Sequence, residues 1–304
     1  MISDDQELLN LLNSSPVVLH IAHLKIISIP FIPTSVKSLY CFDIKTLKSL
    51  PELPDSLEHL CCQNTNIEEL PKLPNALIIL DCSNTKVKKL PKLPPNLEHL
   101  ICSGTEIESI IALPKSLITL RCYNTHISSL PKLPAYLKRL ECTRSPIKTL
   151  PEIPKALEYL ICDKTALTSL PELPDTLKLL YCNNTRITSI KKLPKWLYRL
   201  DCSETDIVSL PKLPIRLLQL YCNNTKIAYL PALPLILREL HCQNTKITDI
   251  EIPKSLKSLI SNYGSDKDTY LIWYKKWTKE RQQARSNITK EELMQRVHKL
   301  FPVL

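Results

Sequence analysis

The chain is 304 residues long, carries a formal net charge of +10, and holds 2 Gly, 25 Pro and 12 Cys. No apolar run is long enough for a transmembrane helix, and the start Met1-Ile2-Ser3-Asp4-Asp5-Gln6-Glu7 is acidic where a signal peptide is basic. With glycine so scarce, the turns are expected to be made by fixed-φ proline, which predicts a stiff and regular object.

At the N-terminus, Ser3 followed by Gln6 resembles a capping box, and Leu8, Leu9, Leu11 and Leu12 come after it. Residues 1–16 are read as a helical cap, 17–261 as a repeat array, and 262–304 as a second helical cap. Leu19-His20-Ile21 with Ile26, Ile29, Pro30 and Pro33 is a worn first unit. Val36, Leu39 and Cys41 begin a second unit, one residue longer than the others.

From Leu57 the pattern is regular, with a period of twenty residues. One unit reads Leu57-x-x-Leu60-x-Cys62-x-x-Thr65-x-Ile67-x-x-Leu70-Pro71-x-Leu73-Pro74. Cysteine then recurs at Cys82, Cys102, Cys122, Cys142, Cys162, Cys182, Cys202, Cys222 and Cys242. A fixed period near twenty marks a solenoid of about 12–13 turns, in which each unit buries its apolar face by stacking on the next. Around Leu60 the apolar residues alternate with variable ones, the signal of a strand. Leu60 and Cys62 are expected to face inward, and His59, Cys61 and Gln63 outward. Stacked strands then form one curved parallel sheet on the concave side. Two prolines three residues apart prevent a helix in the return segment, so the convex side is predicted to be extended or polyproline-like.

The second proline, Pro54 through Pro234, is kept in every full unit, while Ile111 and Lys191 replace the first. The second is therefore assigned the turn into the next strand. The Thr65 series forms another ladder, whose hydroxyls are expected to bind backbone groups of their own and the adjacent repeat. Ser145-Pro146 interrupts it and predicts a local irregularity. The cysteines are read as reduced, buried thiols that pack as small hydrophobes. They form no Cys-x-x-Cys pair and no His recurs beside them, so metal binding is not expected.

The last unit, Pro253 to Ser261, is one residue short. Beyond it, Tyr270, Trp273, Tyr274 and Trp277 lie at i, i+3, i+4 and i+7. Thr289 and Glu292 precede Leu293, Met294, Val297, Leu300 and Phe301 as a second capping box. Two helices closing the stack are predicted there.

The motif Leu-Pro-x-Leu-Pro-x-x-Leu-x-x-Leu resembles the LPX-type leucine-rich repeats of bacterial effectors. Its Cys-x-x-Thr-x-Ile variant is similar to leucine-rich repeat proteins of amoeba-infecting giant viruses. The resemblance covers about residues 17–261 and implies a curved binding scaffold acting inside a host cell. Some bacterial relatives carry a large C-terminal ubiquitin-ligase domain with a catalytic cysteine. This chain has no Cys after Cys242, and the roughly forty residues that follow its repeats are too few for that domain.

Function is therefore sought on the outward strand positions, where folding does not require Tyr, Arg or Ile. Those that crowd the middle are Arg121, Tyr123, Arg139, Tyr159, Ile161, Tyr181, Arg199 and Tyr221. Tyr and Arg dominate interface energetics, so these residues are assigned to a protein partner. The net positive charge suggests an alternative, a basic edge that binds nucleic acid or an anionic membrane. The concave positions, however, carry Arg121, Arg139 and Arg199 against Asp81, Glu141, Asp163, Asp201 and Glu239. No specific nucleic-acid partner, small-molecule substrate, cofactor or catalytic residue is assigned. Cys41-Phe42-Asp43 is a Cys-x-Asp, but Cys41 falls at the buried place. The chain is expected to be a non-enzymatic scaffold, intracellular, and cytosolic in a host if viral or effector-like.

Overall fold

The computed structural model describes residues 4–260 apart from 23, 249, 251 and 252. The helix α1 (Asp4–Asn13) is followed by β1 (Val18–His20), β2 (Ser38–Tyr40), β3 (His59–Cys61), β4 (Ile79–Asp81), β5 (His99–Ile101), β6 (Thr119–Arg121) and β7 (Arg139–Glu141). Then come β8 (Tyr159–Ile161), β9 (Leu179–Tyr181), β10 (Arg199–Asp201), β11 (Gln219–Tyr221), β12 (Glu239–His241) and β13 (Ser258–Ile260). Among the described residues, the 13 strands form one parallel sheet in strict chain order. The register is twenty residues per step, as in Leu80↔Leu100. It becomes 21 residues at Ser38↔His59 and 19 at Glu239↔Ser258, the long and short units of the sequence.

Each repeat sends Leu and Cys inward from its strand and Ile and Leu inward from its return. Leu57, Leu60, Cys62 and Ile67 are all 0% exposed, as are their counterparts through the middle of the stack. Burial of an aliphatic side chain contributes on the order of 2 kcal/mol, but only when a neighbouring repeat covers it. At the N-terminal end α1 supplies that cover through Leu8 and Leu12. Ser3 lies outside the described residues, and Gln6 donates its side-chain amide to Asn10. The two helices expected after residue 262 also lie outside the described residues.

The two turns of a repeat are built differently. The second proline accepts at its carbonyl from the residue three later, as in Leu57 N–H to Pro54 O at 3.0 Å and Leu157 N–H to Pro154 O at 3.0 Å. That is the turn into the next strand, as the sequence predicts. The turn after the strand corrects the expectation that proline makes the turns. It rests on a left-handed residue, Asn at 64, 84, 124, 184, 224 and 244, Gly at 104, and Asp43, Arg144, Lys164 and Glu204 in the remaining turns. Asn tolerates this region because its short amide bonds locally.

The ladder threonines donate to the Cys carbonyl of their own repeat. Thr65 donates to Cys62 O at 2.8 Å and Thr185 to Cys182 O at 2.7 Å. Binding to the adjacent repeat, expected throughout, is seen at Thr125 and Ser145. Ser145 donates to Cys122 O at 3.1 Å and lies 3.0 Å from the Thr125 hydroxyl. The irregularity expected at Ser145-Pro146 is thus present. All 12 cysteines are free, and 11 are buried, with Cys61 half-buried. Burial pushes the thiols up, to about 12 at Cys41 and Cys142, and well above the ordinary 9.0 at Cys62 and Cys122.

Candidate functional site

The outward side chains of the sheet stand in three columns, because each strand repeats its neighbour's register. The first column holds Arg139, Tyr159, Leu179, Arg199, Gln219 and Glu239. The second holds Arg121, Glu141, Ile161, Tyr181, Asp201, Tyr221 and His241. Tyr123 belongs to a third column just past the strands, and is 41% exposed.

The columns interlock diagonally. The Arg199 guanidinium carbon lies 4.9 Å from the Tyr181 ring centroid and 5.1 Å from that of Tyr221. A planar cation is thus flanked by aromatic rings on both adjacent strands, each contact worth about 0.5–1 kcal/mol. Its Nε is buried without a hydrogen-bond partner. Arg139 lies 5.2 Å from the Tyr159 ring in the same way. Arg139 also binds one oxygen of Glu141, and Arg121 approaches the other at 3.2 Å. Glu141 is only 8% exposed, so both guanidinium groups converge on a half-sunken carboxylate.

At the C-terminal side, Tyr221 donates its hydroxyl to Glu239 and packs edge-on against His241 at 4.7 Å between ring centroids. Burial, then the bond to the Glu239 carboxylate, pushes the Tyr221 phenol up to about 12. The hydrogen bonds from Tyr221 and Gln219 lower Glu239. Burial lowers His241 and raises Asp163. The phenol of Tyr181 is raised, again first by burial.

Of the eight sequence-predicted residues, six thus enter contacts: Arg121 and Arg139 at Glu141, Tyr159 on Arg139, and Tyr181, Arg199 and Tyr221 in one stack. Ile161 is half-buried beside Glu141 in the register, and Tyr123 stands apart. Glu141, Glu239 and His241 were on the sequence's outward face but not in its candidate set. The readable signal was the negative charge of Glu141 one period from Arg121 and of Glu239 two periods from Arg199. Among the described residues no group of three His, Cys, Asp or Glu could hold a metal, and no helix is long and apolar enough to cross a membrane.

A single parallel sheet in chain order, a thin convex side and a leucine ladder define a leucine-rich repeat solenoid. Solved structures agree. The chain is similar to YopM from Yersinia enterocolitica WA-314, with 33% identity over 78% of this chain and 53% of that one, and a TM-score of 0.76. It therefore spans about half that protein's length. It is also similar to YopM of Yersinia pestis, a leucine-rich effector protein, with 27% identity over 86% of this chain and 94% of that one, and a TM-score of 0.58. The functional domain of InlJ from Listeria monocytogenes, which includes a cysteine ladder, shares the fold at 23% identity over 75% of this chain and 63% of that one, with a TM-score of 0.54. No protein-family model matches the chain, and no curated protein does. The repeats are thus of the kind found in bacterial leucine-rich effectors.

Proposed function

We propose that the chain is a non-catalytic scaffold that holds a protein partner on its concave sheet, across Arg121, Arg139, Tyr159, Ile161, Tyr181, Arg199 and Tyr221, with Tyr123 at the rim. The observation that carries this reading is the Tyr181–Arg199–Tyr221 stack. The core gains nothing from it, since these side chains leave the sheet on the side away from the leucines. It holds an Arg and two Tyr in one arrangement before any partner arrives, which lowers the ordering cost of binding. Residues of this kind supply the few dominant contacts of an interface.

The similarity to leucine-rich effectors of Yersinia supports a partner inside a host cell. The cysteine ladder fits that setting, because free thiols persist in a reducing compartment. The experiment is a crosslinking capture from host-cell lysate, comparing the natural chain with Arg139→Ala/Tyr159→Ala and with Tyr181→Ala/Arg199→Ala. Loss of two central contacts should weaken capture of a given partner by about thirtyfold or more, with circular dichroism unchanged. Equal capture by well-folded variants would sink the reading.

A further inference from the structure

The left-handed turns lie in one row along a flank of the solenoid, outside the concave face. Backbone bonds between repeats keep the row regular: Asn124 N–H to Thr143 O at 2.7 Å, Arg144 N–H to Asp163 O at 3.1 Å, Lys164 N–H to Asn183 O at 2.9 Å. Six of these turns use Asn and one uses Gly, while Asp43 and Glu204 hold two more. At 144 and 164 the residues are Arg and Lys, both at φ 54°. A long side chain is disfavoured there, so two cations in succession, like Glu204 at φ 54° two repeats on, are an expense to folding.

The same two repeats depart from the pattern in a second way. Lys86, His126, Arg186 and Lys226 each donate a backbone N–H to the preceding repeat. Pro146, at the same place, has no N–H to give. Pro146 and Ala166 are also short, so between His126 and Arg186 the flank is notched. A groove of about 980 Å³ runs along these turns, lined among others by His126, Arg144, Lys164 and Arg186. Among the described residues, Arg144, Lys164 and Arg186 make no ion pair. Glu106 and Glu204 stand at its two ends.

We infer that this flank groove is a second binding site, which takes a short acidic segment of a protein. From His126 to Arg186 is three repeats, about 15 Å at the usual strand spacing, the length of four or five extended residues. A nucleic-acid strand would run on past the cations and meet Glu106 and Glu204. A short run of carboxylates fits between them.

The test uses the full chain and a fluorescein-labelled peptide of alternating Glu and Asp, followed by fluorescence anisotropy at low salt. The double variant Arg144→Asn/Lys164→Asn installs the residue that other repeats use. Its affinity for the peptide should fall about tenfold, the order expected for two exposed ion pairs. Its melting temperature should rise. The concave variant Arg139→Ala/Tyr159→Ala should bind the peptide as the natural chain does, so the two sites fail or stand separately. Unchanged peptide affinity in the Asn variant overturns the inference. So does an oligothymidylate of equal charge that binds as tightly and is weakened by the same substitutions.

Discussion

Raising the pH should unfold this protein through its cysteines. Eleven thiols are buried in one column, and burial holds each of them above the ordinary 9.0, to about 12 at Cys41, Cys142 and Cys242. The folded chain therefore keeps these protons where the unfolded chain releases them. Stability is fully present below pH 9 and is lost as pH rises from there toward 12, because the unfolded state binds fewer protons. Each thiol contributes a little over 1 kcal/mol per pH unit, so eleven together cost on the order of 15 kcal/mol per unit. Folded proteins hold about 5–15 kcal/mol. The fold should fail at about pH 10 in reducing buffer. The assay is urea unfolding followed by circular dichroism at pH 8, 9 and 10. The variant Cys122→Ala/Cys142→Ala starts less stable, because it leaves cavities, yet its stability should fall less steeply with pH. A loss of no more than about 2 kcal/mol between pH 8.5 and 10, or an equal slope in the variant, refutes the reasoning.

In the native state at pH 8, a disulfide-exchange reagent should label Cys61 alone and slowly, since that half-buried thiol is itself raised to about 11. Denaturant should release the other eleven to mass spectrometry. Thr185→Val leaves the buried Cys182 carbonyl without its side-chain donor, and should cost about 1–3 kcal/mol in urea unfolding. Gly104→Ala places a Cβ at φ 67° and 2.1 Å from the Asn84 side chain, so the melting temperature should drop by the equivalent of about 1 kcal/mol.

The inward set was legible because it repeats. Leu60, Cys62 and Ile67 recur every twenty residues, and a period of two around each Leu assigns them to one side of the strand. The proline turn was legible for the same reason, since Pro54 to Pro234 never lapses. The left-handed turn carried a readable sign, the recurring Asn-Thr of Asn64-Thr65 and its counterparts, but scarcity of glycine pointed the reading to proline instead. A short polar side chain can occupy that backbone region, and composition alone does not reveal it.

What sequence determined by itself, then, is the period, the face each residue leaves from, and the absence of helix on the convex side. These are local properties: strand alternation and the fixed φ of proline act within a few residues. What the tertiary structure decided is which outward residues meet. Arg199 reaches Tyr181 and Tyr221 across two strand boundaries, and Glu141 draws in Arg139 from its own strand and Arg121 from the one before. All but the Arg139–Glu141 pair join residues about a full period apart, and their geometry depends on register, curvature and side-chain direction together. Ser145 shows the same limit, since its hydroxyl reaches the Cys122 carbonyl of the preceding repeat rather than its own.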